Sequence, residues 1–130
     1  MDVSTRNRLF SLGDIDRDDV WPRLTEFEAQ AATFRFSFGL DTLPEEPGIL
    51  LVRGPRQYGK STWLELMLRD TLEDFGPGSA YFLSGDDLTD DRDLEAQIAA
   101  LIPLYRPDAR VKRLFVDEIS AVARWEQALK

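Results

Sequence analysis

Residues 49 to 61 read ILLVRGPRQYGKS, and they contain the most informative fold signal in the sequence. It begins with a short apolar run between Gly48 and Gly54, which is typical of a strand buried on both faces. The residues that follow match the pattern Gly-x-x-x-x-Gly-Lys-Ser/Thr at every fixed position. Apolar residues at helical spacing then predict a helix over residues 60 to 75, which the glycines just beyond it end.

This strand–loop–helix pattern predicts a loop that binds phosphate groups. Glycines at both ends of the loop let backbone N–H groups approach an anion, and the helix N-terminus adds its unpaired N–H groups. Lys60 supplies a positive charge for the β and γ phosphates, and the Ser61 hydroxyl is suited to ligate Mg²⁺. The residues predicted to bind the nucleotide are Gly54, Pro55, Arg56, Gln57, Tyr58, Gly59, Lys60, Ser61 and Thr62.

The rest of the chain alternates apolar runs with helical patterns. Apolar runs over residues 80 to 83 and 114 to 116 predict two further strands. Helical spacing over residues 91 to 101 and 120 to 129 predicts the helices that follow them. Strands that alternate with helices imply an α/β fold, here a mostly parallel, three-layer P-loop NTPase sheet.

Two carboxylates, Asp117 and Glu118, come directly after the third predicted strand. Ligands of open α/β sheets lie beyond the carboxyl ends of the strands, so Asp117 and Ser61 are predicted to face the same Mg²⁺. Because Mg²⁺ keeps much of its hydration shell, Asp117 is predicted to hold it through water. Glu118 is placed to accept a proton from the attacking water or to orient it, which makes Glu118 and Lys60 the predicted catalytic residues. Two solvated acids are the alternative interpretation.

Glu118 favours ATP hydrolysis over other reactions of this class. A small-molecule kinase passes the phosphoryl group to a second substrate and needs no base for water. The sequence has no Asn-Lys-x-Asp motif, which disfavours guanine nucleotides. We therefore expect ATP and Mg²⁺ as cofactors. The alternative is a nucleotide-binding switch or interaction module with little or no turnover.

Composition excludes several other functions. The chain has 130 residues and a net charge of −8, which fits one main domain and disfavours binding nucleic acid through the whole surface. It has no cysteine and no histidine, so disulfides, thiolate chemistry, Ser-His-Asp catalysis and histidine-ligated zinc are excluded within it. Neither a signal-peptide pattern nor the roughly 18 apolar residues of a membrane span are found, so we expect a cytoplasmic protein.

The chain is predicted to divide near residue 46. Residues 1 to 46 are expected to form a polar leader and a helical segment, and residues 47 to 130 the P-loop core. Residues 1 to 20 are polar and acidic, and we expect them to be solvated. Residues 21 to 32 have helical spacing, while phenylalanines alternate over residues 34 to 38, a segment too short to decide between strand and helix end.

Smaller groups of residues have two interpretations each. An acidic cluster after the second predicted strand comprises Asp86, Asp87, Asp90, Asp91 and Asp93. Acidic residues at the start of a helix interact favourably with its dipole, and a second metal or a signalling contact is the alternative. Arg53 and Arg56 either face the nucleotide or pair with the acidic surface. Trp21, Trp63 and Trp125 are expected in the core or at domain contacts.

The residues resemble a known family. The stretch RGPRQYGKST at residues 53 to 62 and the stretch LFVDEI at residues 114 to 119, followed by Trp125, look like prokaryotic AAA-type ATPases. The group in question has a GPRQxGK loop and is often fused to a C-terminal nuclease-like domain of unknown function. The resemblance covers about residues 48 to 130. Tyr58 replaces the usual small aliphatic residue and Ser61 the commoner threonine, and neither change is expected to abolish binding.

The resemblance implies a larger assembly. Relatives continue with a strand that carries a polar sensor residue, an arginine finger and a helical lid. We therefore expect this chain to be the N-terminal part of such a protein, truncated after the Walker B strand that ends in Asp117. In the complete protein, ATP hydrolysis is expected to drive or gate an attached C-terminal domain or protein partner. A homo-oligomer is a further expectation, a membrane is not expected, and nucleic acid is not indicated by this chain.

Overall fold

The computed structural model describes residues 2 to 22, Leu43 and residues 60 to 128. The helices are α1 (Val3–Leu12), α2 (Lys60–Phe75), α3 (Asp91–Leu101) and α4 (Trp125–Ala128), and the strands are β1 (Ala80–Ser84) and β2 (Arg113–Asp117). Short 3₁₀ turns lie at Asp18–Val20, Gly85–Asp87, Ile102–Leu104 and Ile119–Ala121. The strand predicted at residues 49 to 52 and most of the segments predicted at residues 21 to 38 lie outside the described residues.

The two strands form a parallel pair joined by α3, which confirms the α/β class. Ala80 lies opposite Arg113 and Ser84 lies opposite Asp117. The helices α2 and α3 have the bounds that the sequence predicts, and each strand extends the predicted run by one or two residues. Because the pair is parallel and in register, both carboxyl ends lie at the same edge of the sheet.

Helix α2 packs on this sheet through an apolar stripe. Trp63, Met67, Leu68 and Leu72 are buried, with steps of four residues from Trp63 to Met67 and from Leu68 to Leu72 that keep them on one helix face. Full burial of such a side chain contributes about 1.5–3 kcal/mol relative to exposure. The stripe therefore fixes the helix against the strands, and with it the position of the helix N-terminus.

The core continues on the other elements. Tyr81, Leu94 and Phe115 are buried with Trp21 and Trp63, and Trp125 is partly buried against this cluster, so the tryptophans lie in the core as expected. A second contact lies at the base of the sheet, the end at which β1 and β2 begin. There the rings of Tyr81 and Tyr105 pack edge to face with centroids 4.8 Å apart. The Tyr105 hydroxyl donates to the carbonyl of Arg113 at 2.5 Å. Burial, with a smaller contribution from Tyr81, raises the pKa of Tyr105 above its ordinary range.

Residues 1 to 20 are not the solvated leader that their composition predicts. The Asp2 side chain accepts the Thr5 N–H at 2.7 Å and begins α1, and Phe10 and Val20 are fully buried. Trp21 stacks on Phe10 with ring centroids 5.4 Å apart. The prediction of a solvated segment is wrong because a few widely spaced apolar residues are enough to anchor it. The predicted division near residue 46 stays a prediction.

Helix α1 covers the side of β1 that faces away from β2. The Asn7 amide donates to the carbonyl of Phe82 and accepts its N–H, each at 2.7 Å. Asn7 thus takes the place of a neighbouring strand at an edge that otherwise exposes backbone donors and acceptors.

A buried ion pair joins α1 to α2. Arg6 Nη2 lies 3.2 Å from Glu65 Oε1, and the two side chains are 8% and 3% exposed. The Arg6 Nε also donates to the Val20 carbonyl at 3.1 Å, and the guanidinium lies over the Phe82 ring. Burial lowers the pKa of Arg6, and the Glu65 carboxylate opposes that change.

The chain after β2 does not form the continuous helix predicted over residues 120 to 129. A 3₁₀ turn at Ile119–Ala121 is followed by Ala123, which forms an isolated parallel bridge with Asp90. Arg124 then adopts a left-handed conformation at φ 57°, and only Trp125–Ala128 is helical in the described part of this segment. The bridge draws the backbone into an extended conformation, which a helix cannot accommodate.

Candidate functional site

The carboxyl end of β2 lies at the N-terminus of α2. The Ser61 hydroxyl donates to Asp117 Oδ2 at 2.7 Å, although the two residues are 56 positions apart in the sequence. Ser61 is the second residue of α2 and Asp117 is the last residue of β2. The structure therefore brings together the two residues that the sequence assigns to one metal ion.

The surroundings favour negative charge at this point. The first turn of a helix presents unpaired N–H groups and the positive end of the helix dipole. Asp117 lies beside that turn through its bond to Ser61. The same environment suits any anion, including the phosphates of a nucleotide.

The second oxygen of Asp117 holds the next residue. Asp117 Oδ1 accepts the backbone N–H of Glu118 at 2.9 Å. The carboxylate is thus oriented from both sides, by Ser61 and by Glu118. Because each carboxylate oxygen can accept about two hydrogen bonds, acceptor capacity remains for water or a ligand.

Glu118 turns the chain away from the strand. Its backbone has φ 53° and ψ 40°, a left-handed conformation that costs a residue with a side chain about 1–2 kcal/mol. The Glu118 carbonyl accepts the N–H of Ala121 at 3.0 Å, which closes the 3₁₀ turn that follows. Such conformations persist only where the surroundings hold them, and they concentrate at functional sites.

The oxygen atoms at this edge fit a hard cation. A serine hydroxyl and a carboxylate are the ligand types that Mg²⁺ takes, usually as one or two carboxylates together with waters and substrate phosphates. Within the described residues there is no group of three or more His, Cys, Asp or Glu side chains that could hold a metal ion. One hydroxyl and one carboxylate match the protein's share of such a site, in which waters and substrate phosphates supply the other ligands.

Most of the predicted phosphate loop lies outside the described residues. Lys60 is the first residue of α2, and Ser61 and Thr62 lie in its first turn, half-buried. The predictions for Gly54, Pro55, Arg56, Gln57, Tyr58 and Gly59 stay predictions, as does the role of Arg53.

The acidic cluster begins α3. Asp90 Oδ1 accepts the N–H of Asp93 at 3.0 Å, and Asp93 Oδ2 accepts the N–H of Thr89 at 3.1 Å. Asp91 lies 3.2 Å from the guanidinium of Arg124. Three of the five acids thus serve the helix start and its contact with α4, in line with the first of their two interpretations.

One residue of this edge escaped the sequence patterns. Gly85 follows β1 directly, and its Cα packs against the backbone of Glu118. A glycine at a strand end is a signal for close backbone approach, and that signal was present in the sequence. What it approaches depends on the pairing of β1 with β2, which the sequence does not contain.

Residues 46 to 130, more than half of the chain, match the family model described as "AAA domain". A search of curated proteins and a search of solved structures each found no match. Among the helices of the described residues, none has the length and apolar character needed to cross a membrane.

Proposed function

Because the chain belongs to the AAA domain family, we propose that it binds ATP with Mg²⁺ and hydrolyses the ATP at the edge formed by α2 and β2. The observation that carries this proposal is the 2.7 Å hydrogen bond between Ser61 and Asp117. In this proposal residues 54 to 61 are the Walker A loop and Asp117 is the Walker B carboxylate. Nucleotide binding is the general property of the family, and the assignment of residues is ours.

Each residue has a separate role in the proposal. The backbone of residues 54 to 59 and the Lys60 ammonium hold the phosphates, which carry most of the negative charge of ATP. Ser61 and, through water, Asp117 hold Mg²⁺. Bound Mg²⁺ neutralises charge that develops on the β and γ phosphates during transfer. Thr62 extends the loop into the first turn of α2.

Glu118 is proposed to act on the attacking water. Its carboxylate accepts a proton from, or orients, the water that attacks the γ-phosphorus. Support comes from its place directly after Asp117 and from the left-handed backbone that carries it away from the strand. General bases of this kind contribute about 10²–10⁴-fold to a rate.

ATP turnover and ATP binding test these roles separately. In the presence of Mg²⁺, Glu118→Gln is expected to bind ATP like the wild type and to lower turnover by about 10²-fold or more. Glu95→Gln, an exposed carboxylate on α3, is the matched control and is expected to change neither quantity. If the wild type binds ATP yet turns over no faster than Glu118→Gln, the chain is a nucleotide-binding switch and the hydrolase proposal fails.

The phosphate loop has its own test. Lys60→Ala is expected to abolish ATP binding, because the loop then lacks its charged contact with the phosphates. Lys112→Ala removes an exposed lysine far from the predicted loop in sequence and serves as the control. Equal ATP affinity in wild type and Lys60→Ala would refute the site assignment.

We also propose that the chain belongs to the prokaryotic subgroup whose loop and Trp125 segment it resembles, and that ATP use gates an attached domain or protein partner. Self-association and a cytoplasmic location are further proposals.

A further inference from the structure

The strands β1 and β2 end side by side, and the residues that follow them, Gly85 and Glu118, each have a specific structural role. Ser84 lies opposite Asp117 in the sheet register, so Gly85 and Glu118 occupy equivalent places beyond β1 and β2. Gly85 is the first residue of the 3₁₀ turn at Gly85–Asp87. Glu118 directly precedes the 3₁₀ turn at Ile119–Ala121. The two turns therefore pack against each other at the edge of the sheet.

Glycine at position 85 provides space for the Glu118 backbone. A Cβ built on Gly85 would overlap the carbonyl oxygen of Glu118 and would lie 2.7 Å from its carbonyl carbon and 3.3 Å from the Cα of Ile119. All three are backbone atoms, so no flexible side chain can move aside.

The backbone angles of Gly85 do not explain the glycine. The described glycines with positive φ are Gly13, Gly76 and Gly78, and Gly85 is not among them. Alanine could adopt its conformation, and only the neighbouring backbone opposes the added methyl group. The close approach is therefore the physical reason for glycine here.

Glu118 is held on two sides. Its N–H is bound by Asp117 Oδ1 at 2.9 Å, and its carbonyl packs on the bare Cα of Gly85 while it accepts the N–H of Ala121. These contacts confine the peptide groups before and after Glu118, which offsets the cost of the left-handed conformation at φ 53°.

We propose that Gly85 is a positioning residue for Glu118: its missing side chain lets β1 support the left-handed turn that places the Glu118 carboxylate. The inference rests on the proposed role of Glu118 in ATP hydrolysis. Gly85 has no part in holding phosphate or Mg²⁺ in this proposal. Ser61 and Asp117 lie on α2 and β2, outside the overlap that a Cβ at position 85 would create.

The consequence is a split between binding and turnover. In Gly85→Ala the Glu118 backbone must shift, and displacement of a catalytic group by about 1 Å costs about 10²-fold in rate. We expect kcat for ATP to fall by about 10²-fold, while the ATP dissociation constant and KM change by less than about 3-fold, since the overlap lies at the Glu118 carbonyl and not at the N–H that Asp117 holds. Asp86→Ala, an exposed position in the same turn, is the matched control and is expected to keep wild-type kcat and KM.

Backbone NMR of the chain gives a readout that does not depend on activity. The HN–Hα coupling and the Cα and Cβ shifts of Glu118 report its left-handed conformation in the wild type. We expect this coupling and these shifts to change in Gly85→Ala and to keep their wild-type values in Asp86→Ala. A left-handed Glu118 in Gly85→Ala, or wild-type kcat in that variant, would overturn the inference while the proposed function stands.

The two proposals fail in different ways. Equal turnover by wild type and Glu118→Gln would end the hydrolase proposal and with it the catalytic part of this inference, whatever Gly85→Ala does. If Gly85→Ala does not fold, the double variant Gly85→Ala/Glu118→Gly decides, because glycine at position 118 frees the backbone to move away. Recovery of folded protein supports the coupling of the two positions, and continued failure to fold overturns it.

Discussion

Helices α1 and α2 both pack around β1, by opposite means. Helix α2 uses an apolar stripe that includes Met67, Leu68 and Leu72. Helix α1 has one fully buried large apolar side chain, Phe10, and otherwise buries Arg6 and Asn7. Apolar contacts tolerate small shifts, whereas buried polar groups stabilise only when each one meets its partner. Helix α1 is therefore fixed in one register. Removing one partner of its buried polar contacts costs far more stability than the complete contacts contribute.

The Arg6–Glu65 pair offers the largest test of this contrast. Arg6→Met is expected to lower the free energy of unfolding by about 3–5 kcal/mol, because it removes the Arg6 guanidinium from the buried Glu65 carboxylate. Arg6→Met/Glu65→Leu is expected to recover most of that loss, since a buried ion pair can be replaced by apolar residues of similar volume. Urea denaturation measures both.

An exposed ion pair is the control. Arg17 lies 2.8 Å from Asp19, but the side chains are 48% and 53% exposed. Arg17→Met is expected to change stability by less than about 1 kcal/mol. If Arg6→Met costs no more than Arg17→Met, α1 is not held by this pair.

The stability that the apolar stripe of α2 contributes should depend on the volume of its buried side chains. Leu68 is fully buried, so Leu68→Ala is expected to cost about 2–5 kcal/mol through lost contacts and the cavity left behind. Leu68→Met keeps the volume and should cost less than about 1.5 kcal/mol. Equal losses in the two variants, measured by thermal or urea unfolding, would contradict attachment by apolar packing.

The stability that Asn7 contributes should depend on its hydrogen bonds to β1 and not on its volume. Asn7→Leu keeps the approximate volume but leaves the Phe82 N–H and carbonyl without partners, at about 1–3 kcal/mol for each buried group. Ser4→Ala, at an exposed position of α1, is the control and should be close to neutral. A loss below about 0.5 kcal/mol in Asn7→Leu would mean that water replaces the amide.

The smallest effect is a pH dependence at the base of the sheet. Tyr105→Phe removes the hydrogen bond to the Arg113 carbonyl and is expected to cost about 1 kcal/mol at neutral pH. The pKa of Tyr105 in the folded chain is raised above its ordinary 10.0, so its contribution is fully present below pH 10 and is lost as the pH rises further. The difference in Tm between wild type and Tyr105→Phe should therefore be constant up to about pH 9 and narrow as the pH rises above 10, and a constant difference throughout would contradict a raised pKa.

Elements whose signals are local could be predicted from the sequence. The bounds of α2 and α3 follow from apolar spacing and from the residues that cap or end a helix, and the strands follow from short apolar runs. The meeting of Ser61 and Asp117 also follows, because the carboxyl ends of parallel strands share an edge with the helix N-termini. The phosphate loop itself stays a prediction from its pattern.

The remaining features could not be predicted, because each depends on contacts between residues that are distant in the sequence. Arg6 and Asn7 are polar residues whose partners lie 59 and 75 positions away, so no local pattern distinguishes them from solvated ones. The isolated bridge of Ala123 to Asp90 interrupts the helix predicted over residues 120 to 129, which its own residues favour. The structural roles of Gly85 and Glu118 depend on the pairing of β1 with β2, because a close approach and a left-handed turn depend on where neighbouring backbone lies.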